Sequence, residues 1–278
     1  MKTLNHRLLL AAAALFSASY ANAQIASSSI GATPGPNNLP SAGGFGYTSP
    51  NATFTRNVTT IEQAGTNQYG SVMQSGDQTS IGRQNEATLT QVASSAAGGH
   101  NNAFQSQTND ASGGGSANAQ NRAANRMEAT QSGDYSVVNQ TQRGSGNKAT
   151  ALQTAGSYSN LLTQNQLGVN NQAYSEQRGS YSRSTQTQNG QNNQGVVIQT
   201  SPSYNNIAEQ TQTGDNNRAY AGQGTMNASG IVASSGYNTS MQTQTGSGNF
   251  SRNDQFGSDD QSYVRQNGTT NTAAVTQH

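Results

Sequence analysis

The chain has 278 residues, 31% of them hydrophobic and 9% charged, with no Cys, no Trp, 32 Gln and 33 Asn. So little apolar surface does not offset the entropy of ordering a conventional core, and composition alone describes a disordered or prion-like, aggregation-prone chain. The absence of Cys excludes a disulfide framework, and a formal net charge of +1 with no basic cluster argues against nucleic-acid binding.

Residues 1–23 have the form of a signal peptide. Lys2 and Arg7 precede the short apolar run 8–16, and Ala21-Asn22-Ala23 satisfies the small-x-small cleavage rule. The run is too short to span a bilayer. Secretion is therefore expected, with Gln24 as the new N-terminus. Removing Lys2 and Arg7 leaves 11 basic and 12 acidic side chains, a net charge of −1. Residues 24–60, which hold four of the five prolines, match no later segment and read as a flexible leader.

From residue 61 onward Gln recurs at steps of eleven: Gln63 and Gln74; Gln120, Gln131, Gln142, Gln153 and Gln164; Gln166, Gln177, Gln188, Gln199 and Gln210; Gln212 and Gln223; Gln244, Gln255, Gln266 and Gln277. The interior of the unit repeats as well. "QRGSGNKATALQ" (142–153), "QLGVNNQAYSEQ" (166–177), "QTGDNNRAYAGQ" (212–223) and "QNGTTNTAAVTQ" (266–277) all read Q-x-G-x-x-N-x-A-x-x-x-Q. "QTGSGNFSRNDQ" (244–255) has Ser251 and "QNGQNNQGVVIQ" (188–199) has Gly195 at the Ala position. "SIGRQNEATLTQ" (80–91) begins with Ser80 in place of Gln. Residues 92–119 are less regular and Gly-rich, with one arm visible at Asn101, Ala103 and Gln107. The steps Gln164 to Gln166 and Gln210 to Gln212 read as insertions of two, which in a strand keep side chains on the same face.

In N-x-A-x-x-x-Q the alternate positions share one face of a strand. That face carries Asn147, Ala149, Ala151 and Gln153 in one copy, and Asn271, Ala273, Val275 and Gln277 in another. The x-G-x-x segment is a turn whose Gly supplies positive φ. The expected fold is all-β: a β-solenoid over 61–278, with about 11 residues per arm and about 22 per rung. Some nineteen arms give nine or ten rungs and a body roughly 45 Å long. Stacked amides would each satisfy the next, which reconciles a polar composition with a buried core. The last copy, 266–277, meets the consensus fully and shows no polar cap, so an open strand edge is expected there.

The unit Q-x-G-x-G-N-x-A-x-x-x-Q, complete at Gln142–Gln153, resembles the repeat of curlins, the subunits of curli fibres. The resemblance covers most of the mature chain. It implies a subunit exported through an outer-membrane pore, polymerising on a nucleator subunit into an extracellular, pilus-like amyloid fibre at the bacterial surface. There it would serve biofilm matrix and cell adhesion. It places the fibre-forming amides at Gln142, Asn147, Gln153, Gln166, Asn171, Gln177, Gln188, Asn193, Gln199, Gln212, Asn217, Gln223, Gln244, Asn249, Gln255, Gln266, Asn271 and Gln277. The turn glycines are Gly144, Gly168, Gly190, Gly214, Gly246 and Gly268. The chain departs from the familiar subunit in its many repeats, its long Pro-containing leader and an irregular Ser before the first Gln, as at Val137 before Gln142. Asp134, Asp215, Asp259 and Asp260 lie at or beside turns. They either serve the turns or slow premature assembly through stacked like charges.

No enzyme is expected. His6, His100 and His278 pair with no spaced carboxylate, and neither a metal nor a cofactor site is visible. The alternative is a monomeric secreted β-solenoid that binds a surface such as ice or glycan. Its candidates are the pairs Thr185/Thr187, Thr211/Thr213 and Thr243/Thr245, and three tyrosines expected to point outward at one unit position: Tyr174, Tyr220 and Tyr263.

Overall fold

The computed structural model describes residues 42–47, 58–64, 68–76, 85–92, 100–109, 125–154, 156–200, 203–224 and 236–277. The signal segment 1–23, most of the leader, Gln120 and the Gly-rich stretch 110–124 lie outside them. In chain order the strands are β1 (Ala42–Tyr47), β2 (Val58–Ala64), β3 (Tyr69–Gly76), β4 (Glu86–Val92), β5 (Asn102–Asn109) and β6 (Arg126–Gln131). Then come β7 (Val137–Ser145), β8 (Lys148–Gln153), β9 (Leu161–Val169), β10 (Gln172–Gln177), β11 (Arg183–Gln191) and β12 (Gln194–Gln199). The series ends with β13 (Ile207–Thr213), β14 (Arg218–Gln223), β15 (Thr239–Ser247), β16 (Phe250–Gln255), β17 (Gln261–Thr269) and β18 (Thr272–Gln277).

These strands form two sheets. The even-numbered strands, led by β1, make a sheet of ten, and the odd-numbered strands from β3 to β17 make a sheet of eight. Every pairing is parallel and in register except β1 with β2, which is antiparallel. The chain passes from one sheet to the other and back in each rung, so the fold is the expected β-solenoid. Among the described residues eight full rungs run from β3–β4 to β17–β18, preceded by β2. That is shorter than nine or ten rungs, and at the strand spacing it comes to roughly 40 Å. The segment 24–60, read as a leader, contributes β1 and the start of β2. Between β3 and β4, β5 and β6, and β14 and β15, longer connections leave the strand register untouched.

Burial alternates residue by residue along the strands, as in β7 and β8. Two inward faces then meet across a thin core. Leu89, Ala103, Ala129, Val138, Ala151 and Leu162 form its largest apolar cluster, and Val197, Ala208 and Ala221 a smaller one further along. Between and after these clusters some inward positions are polar. Ser175 Oγ donates to Ser184 Oγ at 2.6 Å, and Asn253 Nδ2 to Ser240 Oγ at 2.7 Å.

Candidate functional site: the amide ladders

Like amides lie over like amides throughout the stack. In the even sheet one file of Gln runs from Gln63 through Gln91, Gln131, Gln153, Gln177, Gln199, Gln223 and Gln255 to Gln277. Each Nε2 donates to the next Oε1 at 2.6–3.0 Å. In the odd sheet a second file runs Gln74, Gln107, Gln142, Gln166, Gln188, Gln212, Gln244, Gln266. The other amide hydrogen crosses the core. Gln142 donates to the Arg126 carbonyl at 2.9 Å, Gln166 to Lys148 and Gln212 to Gln194. One side chain therefore ties neighbouring rungs and opposing sheets together. It also stays satisfied where water is absent, because both hydrogens and the carbonyl oxygen are used.

The Asn positions work differently from a simple ladder. Asn147 Nδ2 donates to the Gly168 carbonyl at 2.9 Å, and its Oδ1 accepts the backbone N–H of Asn171 at 3.0 Å. Asn171, Asn193, Asn217 and Asn249 repeat this clamp on Gly190, Gly214, Gly246 and Gly268. The Gly carbonyl is reachable because the turn backbone has φ of 112° at Gly144 and 119° at Gly168, left-handed values that glycine adopts freely. A Cβ on Gly144 would stand 2.0 Å from the Gly168 oxygen. Gly and Asn of successive rungs thus form one device.

All predicted ladder residues fall on inward faces, and the described residues contain further files that the eleven-residue frame missed. Gln105, Gln140, Gln164, Gln186, Gln210 and Gln242 form a third Gln ladder, with contacts of 2.8–3.0 Å. Gln164 and Gln166 both lie on β9, two residues apart and facing inward, as do Gln210 and Gln212 on β13. They are therefore not insertions of two. Nor does parity matter, because successive ladder members stand 33 and 35 residues apart in places and 22 or 24 in others. The turns absorb any length, and register is reset at each strand. The recurring Q-x-Q pair was the overlooked signal.

A second clamp occupies the opposite turn, where Asn160 Nδ2 donates to Gly179 O at 2.7 Å and its Oδ1 accepts from Ser182 N at 2.8 Å. Asn101 holds Gly133 and Ser136 in the same way. The irregular Ser is thereby explained. One inward position, six residues before the Gln, alternates Ser136, Asn160, Ser182, Asn206 and Asn238, all buried.

At the C-terminal face the ladders end unpaired among the described residues. β17 and β18 each have one neighbouring strand. Asn271 bonds to Asn249 and Asn267, with no Gly carbonyl beyond it. Gln277 Nε2 reaches only the Gln261 carbonyl at 2.9 Å. Ala273, Val275 and Gln277 are only half-buried, unlike their counterparts in earlier rungs.

The outward residues sort less simply than expected. Tyr174 is buried at 7% exposure and donates to Glu176 Oε2 at 2.8 Å, whereas Tyr263 is 67% exposed and lies in the other sheet. The shared position in an eleven-residue frame does not make them equivalent, because alternate arms belong to opposite sheets. Burial pushes the Tyr220 hydroxyl up to about 12, helped by the Asp254 carboxylate and opposed by Arg252. Asp254, itself raised by burial, pairs with Arg252 at 2.5 Å. Of the threonine pairs, Thr187, Thr211 and Thr243 stack in register, but Thr185 leads to Glu209 and Met241. Asp215 Oδ1 accepts the Gln191 N–H and Asp260 Oδ2 that of Gly257, so both serve turns.

Among the described residues no group of three or more His, Asp or Glu is placed to hold a metal ion. Compared with family models, curated proteins and solved structures, the chain matches none.

Proposed function

We propose that this chain is a secreted structural subunit of a curli-like amyloid fibre that self-assembles at the cell surface and supports biofilm matrix and adhesion. The observation that carries the reading is the continuity of the ladders. Two Gln files and the Asn–Gly clamps repeat at the strand spacing to the last rung, where Gln266 on β17, Gln277 on β18 and Asn271 between them offer bonding groups to a further rung, while the third file ends one rung earlier at Gln242, beside Val264. A rung of a second copy would continue the same pattern, as strands add in cross-β assemblies. Head-to-tail addition of this kind is heterologous and does not close, so it yields filaments rather than rings. The antiparallel β1 covers the other end of the even sheet, which favours growth from the β17–β18 face.

The curlin resemblance extends the proposal to a nucleator subunit and an outer-membrane export pore as partners, with no cofactor and no enzymatic activity. The test follows purified chain 24–278 with an amyloid dye, with and without preformed seeds, and takes fibre diffraction of the product. Seeds that shorten the lag, with reflections near about 4.7 Å and 10 Å, support the reading. A chain that remains a soluble, β-rich monomer over the same period overturns it.

A further inference from the structure

Tyrosines stack in a file along the edge where each even strand turns into the next odd strand. His100 and Tyr135 have ring centroids 4.7 Å apart, Tyr135 and Tyr158 5.0 Å, Tyr158 and Tyr181 5.5 Å, and Tyr204 and Tyr237 5.3 Å. The five tyrosines are 39–56% exposed. Three of the five have an unusual backbone, while Tyr158 and Tyr204 stand one residue before the equivalent turn position. Tyr135, Tyr181 and Tyr237 have φ of 54°, 56° and 60°, a left-handed conformation that bulky residues rarely adopt. Other rungs place Ser159, Asn205 and Asp259 at the same turn position, and Asn and Asp are the side chains that tolerate it best. Tyrosine there is not required by the turn. A strained residue that recurs where an unstrained one would serve points to use of its side chain.

The rings do not form one flat platform for sugars, because Tyr135, Tyr158 and Tyr181 tilt against one another by 49° and 57° and Tyr204 meets Tyr237 edge to face at 80°. What they offer is a run of partly exposed phenols, adjacent from rung to rung. The chain has no Trp and no Cys to compete for a one-electron oxidant. We propose that this column is a site of oxidative coupling, at which tyrosines of successive rungs join as dityrosine: Tyr158 with Tyr135 or Tyr181, and Tyr204 with Tyr237.

The chemistry balances with hydrogen peroxide as oxidant and a haem peroxidase as catalyst. Each phenol loses one electron and its hydroxyl proton. The two phenoxyl radicals then form a carbon–carbon bond between the positions ortho to oxygen. Rearomatisation moves the two displaced ring hydrogens to the oxygens as protons. The pair thus loses two hydrogen atoms, and peroxide is reduced to two waters. Desolvation raises the Tyr158 hydroxyl above its usual value, as do Tyr135, Tyr181 and Asp134 in turn. Exposed side chains swing between rotamers in ps–ns, fast enough to close the remaining gap. The bond would staple consecutive rungs, a covalent tie in a chain without Cys. The proposal does not rest on the fibre reading, since both partners lie in one chain.

The test treats dilute, soluble full chain with a haem peroxidase and hydrogen peroxide, then reads dityrosine fluorescence and maps tryptic peptides by mass. Cleavage at Arg143, Lys148, Arg178, Arg183 and Arg218 puts Tyr135, Tyr158, Tyr181, Tyr204 and Tyr237 on separate peptides. The expected products are peptides linked through Tyr158 to Tyr135 or Tyr181, and through Tyr204 to Tyr237, in a monomer that has lost two hydrogens per link. Methionine oxidation instead adds oxygen and is distinguished by mass. In Tyr158→Phe, which keeps the ring, the first group of links should vanish while Tyr204–Tyr237 persists as a control for folding and oxidant. No dityrosine, links spread over all tyrosines with Tyr263 foremost, or links found chiefly between copies would each overturn the proposal.

Discussion

Gln177 stands in the middle of the even-sheet ladder, fully buried, and its replacement by Leu tests whether the amides hold the stack. Gln153 Nε2 loses the Gln177 oxygen but keeps the carbonyls of Val137 at 3.3 Å and Asn160 at 3.2 Å. Gln199 Oε1 loses its ladder donor and stays buried. The Ser182 carbonyl retains the Leu161 N–H at 3.0 Å. One orphaned amide oxygen and the lost bonds together cost about 2–4 kcal/mol. At the end of the same ladder Gln277→Leu removes the same chemistry where water can replace it, and costs less than about 1 kcal/mol. A pair of double variants sharpens the test. In Gln177→Leu/Gln199→Leu the orphan merely moves to Gln223, so the double costs less than the two singles combined by about 1–3 kcal/mol. Gln177→Leu/Gln223→Leu, which are not adjacent, creates two orphans and should add fully. Urea unfolding of the monomer by far-UV circular dichroism, with hydrogen exchange resolving individual rungs, measures all six variants, the singles Gln199→Leu and Gln223→Leu included. Equal costs at Gln177 and Gln277, or strict additivity for the adjacent pair, would refute the ladder account.

Gly168→Ala places a Cβ 2.0 Å from the Gly190 oxygen at φ 119°, so it should cost more than about 3 kcal/mol. Gly268→Ala, where the nearest atom is 3.5 Å away, should cost only the backbone strain of about 1–3 kcal/mol; the same unfolding assay compares them. Asp254 is raised from 3.8 by burial, so the folded chain binds its proton more tightly than the unfolded chain does. Its contribution is present below that value and is lost as pH rises through the folded pKa, and Asp254→Asn should remove this acidic slope in urea midpoints. Tyr220 likewise favours the folded state up to the ordinary value of 10.0, and that contribution is lost as pH rises toward about 12. Ultraviolet titration of Tyr220→Phe against the parent should show the missing late phenolate.

The even-sheet arm was legible residue by residue because its signals are of different kinds: a turn Gly, a clamping Asn, a small residue and a closing Gln at fixed spacing. The odd-sheet arm was half hidden, and the cause is physical. Both arms end in inward Gln, so a step of eleven from Gln142 reaches Gln153 in one sheet and Gln164 in the other without distinguishing them. Only the bonding separates the two, with Gln153 continuing to Gln177 and Gln164 to Gln186. The same ambiguity misplaced Tyr174 beside Tyr263. The left-handed tyrosines were invisible for a different reason, since nothing in local propensity favours Tyr at such a turn.

The ladder arrangement also explains how this chain tolerates turns of such unequal length. In a conventional core an insertion displaces packed side chains, because each fits a unique set of neighbours. Here most inward side chains have partners of their own type one rung away, and the partner's position depends on strand register rather than on chain distance. Gln212 finds Gln244 after 32 residues as well as Gln166 finds Gln188 after 22, at 2.9 and 2.8 Å. Extra residues therefore collect in turns without altering the core. The property that frees the turns also constrains the strands. A polar side chain has full partners only where the same side chain recurs in the next rung. The unit therefore stays recognisable at Asn, Gly and Gln while the outward positions vary freely between Lys148, Gln172, Gln194 and Arg218.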